Sequence, residues 1–447
     1  MHVPFIVRHT AVALALLTLV GVRARAQQRA QDAPLTLESS VARAVATHPL
    51  VGAATAAVRA AEGSRTTARS LGNPVFLYQA DAASSALAGA APAIEREVMT
   101  SAMLPLDPLF QLKPRASQAG ALVRAARADL AATRRDVALE AASSFYTAAM
   151  AAVRVDALTD VRTWLDSLVG YTQARVNEGA AAEVDLIRLQ VEHLRTETDL
   201  AMAQADAARA RAQLAVAVGL DSFTVDLTTD TACNCPPPPS REALLAIARV
   251  RRPEILAADA RVAAAQSGVS LERTRFLRDV GVMAGVKTMG SGRSMVTGVN
   301  LPIPLFDQNR GEVRRADGDR RIAQFLREQV RRQVDADVSA TYVALTTLTG
   351  KADLSNGMLV RRAEEARRIT EAAYREGATT LVQVLDAART LAEARQVSYA
   401  ALSARRLSVL QLNAAIGVTE LPAMLSMPTS NPPSRDTQSP TPPERQP

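Results

Sequence analysis

Val176-Asn177-Glu178-Gly179-Ala180 and Tyr374-Arg375-Glu376-Gly377-Ala378 share the triplet Glu-Gly-Ala, with their glycines 198 residues apart. The same offset returns downstream, where Ala217-Val218-Gly219 lies opposite Ala415-Ile416-Gly417. Upstream, Ser143-Ser144-Phe145-Tyr146 matches Ser339-Ala340-Thr341-Tyr342 with a small indel. The chain start recurs too: Leu37-Glu38 to His48-Pro49 parallels Arg241-Glu242 to Arg252-Pro253. An offset held over about 40 residues reads as an internal duplication, and the chain is two copies of one plan.

Each copy has the same order of parts. A helical stretch comes first, residues 37–70 and 241–278, and a region of alternating apolar residues follows. A very long helical run then spans about 113–176 and 311–375, a glycine interrupts it, and a shorter helix returns over 184–218 and 381–416. At 1.5 Å per residue the long runs reach roughly 95 Å and the return helices about 50 Å. A return helix therefore lines only half of its partner. The helix before each alternating region, also about 50 Å long, has the length to line the rest. On the first return helix Val184, Ile187, Val191, Leu194, Thr198, Ala201, Ala205, Ala208, Ala212 and Ala215 repeat at 3-4 spacing. That stripe predicts the seam against the long helix. The matching stripe in the second copy is interrupted by Arg389 and Arg406.

The alternating regions predict strand hairpins near 74–106 and 279–304. Val280, Val282, Ala284 and Val286 alternate with Gly281, Met283, Gly285 and Lys287 before the turn Gly290-Ser291-Gly292, and Met295, Thr297, Val299, Leu301 and Ile303 then share one face. In the first copy Val98, Thr100, Ala102 and Leu104 alternate with Glu97, Met99, Ser101 and Met103. Period two exposes the two faces to different surroundings. Stretches of about 9–11 residues suit a tilted membrane strand, and fit a soluble hairpin equally. Four strands cannot close a membrane barrel, whose smallest members have about eight, and open edges in lipid leave backbone groups unpaired. If the strands insert, copies of the chain must share one barrel.

Arg8 and His9 precede an apolar run, Ala11 to Val22, that ends at Ala24-Arg25-Ala26. This is the pattern of a secretory leader, residues 1–26, cleaved before Gln27. Its loss removes Arg8, Arg23 and Arg25 and takes the formal charge from +7 to +4, a mildly basic surface that gives no reason to invoke nucleic acid. The two repeats then occupy 27–219 and 241–419. Between them, 220–240 carries Cys233-Asn234-Cys235 and Pro236 to Pro239. The cysteines form a strained disulfide or remain two free thiols; two thiols alone make a poor metal site. The tail 420–447, rich in Pro, Ser and Thr, has the composition of disorder. Aromatic residues make up only 3% of the chain, thin for the girdles of a barrel. His48 and His193 are the only histidines beyond the leader, and no P-loop, G-x-S-x-G or metalloprotease signature is present. No enzyme, cofactor or metal site is expected.

With these features together the chain resembles the TolC family of outer-membrane efflux proteins, from Leu35 to about Leu421. The most specific segment is Gly298-Val299-Asn300-Leu301-Pro302-Ile303-Pro304-Leu305-Phe306-Asp307-Gln308-Asn309-Arg310-Gly311, followed by Tyr374-Arg375-Glu376-Gly377 with Val384-Leu385-Asp386-Ala387-Ala388-Arg389. The resemblance implies a mainly α fold with a small β part. Three protomers would share one barrel of four transmembrane strands each, above an antiparallel coiled-coil α-barrel in the periplasm. It implies a passive export duct for small molecules or metal ions in the outer membrane. A periplasmic adaptor (a membrane fusion protein) and an inner-membrane pump would be its partners. It implies that the tips Gly179, Ala180, Gly377 and Ala378 meet the adaptor. It also implies an entrance gate of Asp185, Tyr374, Thr379, Gln383 and Asp386. Asp185, Tyr374 and Asp386 match the family pattern; Gln383 stands where an Asp is usual and Thr379 where an Arg is usual, so part of the lock is missing. Read from the residues alone, Gly179 and Gly377 are helix C-caps, and Asp185 and Asp386 are acids near a helix N-terminus.

Two other classes would show long coiled coils. A periplasmic adaptor would carry one helical hairpin flanked by lipoyl-like and barrel modules, whereas this chain has two hairpins in a duplication. A structural coiled coil would lack the alternating segments and the Pro-Leu-Phe-Asp junction.

Overall fold

The computed structural model of the chain describes residues 35–84, 94–220, 238–355 and 357–418. The leader, Cys233 and Cys235, and the Pro-rich tail lie outside the described residues. The fold is mainly helical with one small antiparallel sheet.

Both opening stretches break where a proline dictates it. The first becomes α1 (Leu37–Thr47) and α2 (Pro49–Arg69). After the sheet strands and two long helices, the second becomes α5 (Arg241–Arg251) and α6 (Pro253–Thr274). His48 (ψ 131°) and Arg252 (ψ 122°) are extended. The ring of a following proline excludes the helical region for the residue before it. The single helices expected over 37–70 and 241–278 are therefore each two helices.

The long runs differ between copies. In the first, α3 (Asp107–Asn177) is one helix of 71 residues. In the second, the run divides into α7 (Arg310–Ser355) and α8 (Met358–Arg375). Gly357 (φ +70°) takes the left-handed conformation that glycine adopts without steric cost, so the helical ladder stops there. The return helices are α4 (Glu183–Val218) and α9 (Leu381–Ala415).

The glycines that revealed the duplication share one geometry. Gly179 and Gly377 have φ of +73° and +76°. Gly179 donates to the Val176 carbonyl at 3.0 Å and Ala180 to that of Arg175 at 2.7 Å. In the second copy Gly377 donates to Tyr374 at 3.0 Å and Ala378 to Ala373 at 2.8 Å. Both are Schellman caps, which satisfy the last carbonyls of the helix. Gly219 and Gly417 close α4 and α9 with the same pair of bonds.

The chain forms two compact units. One comprises Gly52–Thr133 and Arg249–Ala336 and holds the sheet. In it the first half of α3 is lined by α2, through Arg127–Glu62 at 2.6 Å, and by α6, through Arg261–Asp129 at 2.6 Å. The other comprises the residues up to Val51, Arg134–Ala248 and those from Asp337 on. There α4 lines the second half of α3, as Arg162–Glu197 at 3.5 Å illustrates, and α8 packs on α9.

The seam on α4 is not the predicted stripe. The buried residues are Leu186, Leu189, Thr196, Leu200, Ala203, Ala207, Ala210, Leu214 and Ala217, with half-buried His193 completing the 3-4 series. Every member lies two residues after a member of the predicted stripe. At 100° per residue this is nearly the opposite face. Val184, Ile187, Val191 and Leu194 are instead 51–63% exposed. The helix has two stripes of 3-4 spacing, and the buried one is the one that carries His193. On α9, by contrast, residues around much of the circumference are buried.

Candidate functional site: sheet, junction and helix tips

β1 (Val75–Ser84), β2 (Ile94–Pro105), β3 (Gly281–Met289) and β4 (Gly292–Asn300) form an antiparallel meander in that order. The β2–β3 ladder joins the two copies, and β1 and β4 are edges. β4 ends at Asn300 rather than continuing through Ile303. Pro302 and Pro304 lack the N–H that a ladder needs.

Register sorts the side chains by face. Phe76, Ala102, Ala284 and Thr297 stand in one cross-strand row, and Leu104, Val282 and Val299 in the next. Tyr78, Val98, Thr100, Val286 and Met295 share that face. The opposite, more polar face carries Gln79, Asp81, Ser101, Gly285 and the pair Lys287–Glu97, together with Met99, Met103, Met283 and Met289. The apolar face is the exposed one: Phe76 is 69%, Met295 78% and Val299 73% exposed. On the polar face Ser101 is buried, and Lys287 and Glu97 are mostly covered. Val75 and Leu77, on the edge strand, are exposed apolar residues of the polar face. A contiguous apolar surface turned outward is the inverse of a water-soluble sheet and suits a lipid environment. Gly285 is fixed by close approach, since a Cβ there would sit 2.4 Å from the Thr100 carbonyl oxygen.

The Leu301–Asn309 junction owes its sequence to a polar clasp. Asn309, buried and at φ +57°, donates through Nδ2 to the Glu272 carbonyl at 2.7 Å and to Glu272 Oε2 at 3.2 Å. Arg275 pairs with Glu272 at 2.6 Å. Asp307 accepts from the Asn309 backbone N–H at 2.9 Å and pairs with Arg278. The Asn309 N–H, and secondarily Arg278, hold the Asp307 carboxyl below the usual carboxylate range against the opposing effect of desolvation. Asn300 Nδ2 donates to the Asp279 carbonyl at 2.8 Å. The end of α6 is thus tied to the start of α7 across the sheet's root.

At the tips the structure distributes the gate candidates. Thr379 donates through its hydroxyl to Gln383, whose Oε1 also accepts the Thr380 N–H at 3.4 Å. Gln383 thus completes the capping box that Thr380 makes at the start of α9, and Thr379 bonds to it from outside the helix. Tyr374 packs on a cluster of Leu165, Leu168, Leu189, Leu381 and Val384, drawn from α3, α4 and α9. Asp185 lies in the first turn of α4, 3.8 Å from Arg188. Asp386 acts electrostatically on Arg389. Tyr374 and the start of α9 are therefore brought together, while Asp185 stands on another helix with its own partner. Gly179 and Gly377 have open space around them, as tips should.

The outer membrane efflux protein family model matches residues 40–220 and 244–418, one segment in each copy. The chain belongs to the outer membrane efflux protein family. Like other members it is an outer-membrane channel for efflux, with its helices in the periplasm. It is 26% identical over 368 residues to the cobalt-zinc-cadmium resistance protein CzcC of Cupriavidus metallidurans, covering 81% of this chain and 85% of that one. Over 66 residues it is 44% identical to the nickel and cobalt resistance protein CnrC of the same organism, 14% of this chain and 16% of that one. Its fold matches the Campylobacter jejuni outer-membrane channel CmeC with a TM-score of 0.72 at 15% identity, covering 86% of each chain.

In this efflux protein the sequence reading missed the ion pairs that join the two helical hairpins. Arg389 of α9 donates to Glu192 of α4 at 3.0 Å. Arg395 of α9 bonds Asp160 of α3 at 2.5 Å and Glu364 of α8 at 3.3 Å. Hydrogen bonding to Glu192 raises the Arg389 pKa; for Arg395 desolvation pulls down, and the bonds to Asp160 and Glu364 outweigh it. Arg389 had looked like a flaw in an apolar stripe. The signal in the sequence was the charge itself, at a position where a seam would have an apolar residue.

Proposed function

We propose that three copies close one barrel and that the protein is the passive outer-membrane duct of a tripartite pump, catalysing no reaction. The observation that carries this reading is the four-stranded sheet with its apolar face outward and both edges open. In lipid each unpaired backbone group costs several kcal/mol, so β1 of one copy must meet β4 of another. Twelve strands would result. The outer stripe of α4, from Val184 to Ala215, supplies a second surface suited to a neighbouring copy, because its 3-4 spacing fits a helix. Energy would come from an inner-membrane pump reached through a periplasmic adaptor at the tips Gly179–Ala180 and Gly377–Ala378. Asp185, Tyr374 and Asp386 would line the entrance, with Thr379 and Gln383 stiffening the start of α9.

The metal-resistance relatives make divalent metal ions the first cargo to test. A duct needs no binding site for them, and among the described residues no cluster of three His, Cys, Asp or Glu could hold one. A deletion strain should become sensitive to cobalt, zinc, cadmium or nickel and be rescued by the wild-type gene. Cysteines placed at Leu77 and Val296, on the two edge strands, should crosslink between copies into a trimer in outer-membrane fractions. Recovery of the protein as a soluble periplasmic monomer would overturn the channel reading.

A further inference from the structure

The outward apolar face of the sheet does not stop where the ladder stops. Met295, Thr297 and Val299 are exposed on it, and past Asn300 the alternation runs on in phase. Leu301, Ile303 and Leu305 are exposed, while Pro302 and Pro304 between them are half-buried. Phe306 follows at 100% exposure, and Phe110, in the first turn of α3, is exposed too. Such a run of bulky apolar side chains is costly to leave in water.

One step further from the sheet the exposed side chains become basic. Lys113 lies three residues after Phe110, hence on the same side of α3. Arg310 opens α7, and Arg314 follows one turn later. Arg69 ends α2, which lies beside α3 because Arg115 Nη2 donates to the Ser70 carbonyl at 2.6 Å. All four are exposed and make no ion pair among the described residues. The neighbouring acids are taken, Glu272 by Arg275, Asp307 by Arg278 and Glu312 by Arg315, which leaves Asp279 exposed.

We propose that this collar binds anionic phospholipid of the periplasm-facing leaflet. Leu301 to Phe306 and Phe110 enter the acyl chains, and Arg69, Lys113, Arg310 and Arg314 take the headgroup phosphates. The proposal rests on the sheet spanning the outer membrane. An apolar body edged by Lys and Arg is the composition of an interfacial membrane surface. The headgroup layer is roughly 5–8 Å deep on each side of the hydrocarbon, within reach of basic side chains in the first helical turns. A neighbouring copy would bring the same basic excess to the collar, so charge favours lipid over protein as its partner.

The full-length protein would be placed in nanodiscs of phosphatidylcholine with or without phosphatidylglycerol. Trp164 is the only tryptophan, so Trp164→Phe with Phe306→Trp puts a single emitter in the collar. Phospholipid brominated on its acyl chains should quench that emission. An emission that brominated lipid leaves unchanged would place the side chain in the lumen or against another copy and overturn the proposal. Native mass spectrometry should show phosphatidylglycerol retained over phosphatidylcholine. A basic residue at an anionic surface strengthens binding about fivefold. Lys113→Gln, Arg310→Gln and Arg314→Gln together should therefore lose at least about tenfold of the preference. Arg195→Gln, Arg361→Gln and Arg368→Gln, at exposed positions in the other unit, should keep it. Where the collar triple does not fold, Arg310→Gln alone should lose about twofold or more. Equal loss in the collar and control variants would make the preference one of net charge and overturn the site. Insertion with equal retention of both lipids would overturn this proposal alone. A protein that enters no nanodisc would overturn the membrane-spanning reading and this proposal with it.

Discussion

The hairpin α3–α4 and the hairpin α8–α9 are built on one backbone plan and present different surfaces. Their turns share the same Schellman bonds, yet α4 keeps an apolar stripe exposed while α9 is buried around much of its circumference. The long helix of the first copy is unbroken, and that of the second stops at Gly357. Duplication therefore preserved the backbone grammar of caps and glycines, while the side chains of the two copies diverged to serve different neighbours. The first hairpin carries a continuous exposed apolar stripe, whereas on the second the exposed apolar residues, such as Ile369, Val382 and Val397, are scattered.

The largest expected effect separates the two stripes of α4. Leu189 is fully buried in the cluster with Leu165, Leu168, Leu381 and Val384. Leu189→Ala should cost about 2–5 kcal/mol, seen as a lower midpoint for loss of helical circular dichroism. Leu194, 63% exposed, should change protomer stability by no more than about 0.5 kcal/mol when replaced by Ala. Leu194→Asp should instead reduce the trimer fraction on native gels with helix content retained. A trimer that tolerates Leu194→Asp would remove the outer stripe from the interface.

Helix periodicity was legible in the sequence, but the choice between two equal stripes was not. Both follow 3-4 spacing, and only the three-dimensional position of α3 decides which is inside. The proline breaks at His48 and Arg252 were readable from a local steric rule that the long-helix expectation overrode. The Schellman glycines, the strand pairs and the polar-apolar alternation were readable because each depends on neighbours close in sequence. Arg389–Glu192 and Arg395–Asp160 were not, since their partners lie 197 and 235 residues away. Thr379 and Gln383 were assigned by resemblance to a gate, and the role of Gln383 in starting α9 is a local pattern, Thr380-x-x-Gln383, overlooked in favour of the resemblance.

The next effect tests whether the two tips are equivalent. No atom lies within 4 Å of a Cβ built on Gly179 or Gly377. The cost of Gly→Ala is then purely that of a left-handed conformation, about 1–2 kcal/mol at each. The two variants should have melting points within a degree or two of each other. A much larger loss at Gly377 would mean that the second tip makes contacts the first lacks.

A smaller contrast lies in how the return helices begin. α4 starts from Ala182, which has no capping side chain, with Glu183 and Asp185 in its first turn. α9 starts from Thr380 with Gln383 reaching back to the cap. Thr380→Ala should destabilise by about 1 kcal/mol. Ala182→Ser should stabilise by a comparable or smaller amount, bringing the first copy toward the second. Faster amide exchange confined to 381–384 in Thr380→Ala would localise the effect; exchange unchanged there would refute the capping role.

The smallest effect concerns the two strand–helix junctions. In the first copy only Leu106 separates β2 from α3, and its N–H is taken by the Val280 carbonyl at 2.7 Å. In the second, nine residues intervene and the Asp307 clasp orders them. The Asp307 pKa is depressed in the folded state, so its contribution to stability is present above the unfolded carboxylate value and is lost as pH falls through the lower folded value. Lowering pH from 6 to 3 should therefore loosen the second junction before the first. Amide exchange of Asn309 should accelerate over that range, while that of Leu106 stays slow. Asp307→Asn removes the charge but keeps an acceptor for the Asn309 N–H, and should flatten the acid dependence at Asn309. If Leu106 loosened in step with Asn309, the acid response would belong to the sheet as a whole and not to the clasp.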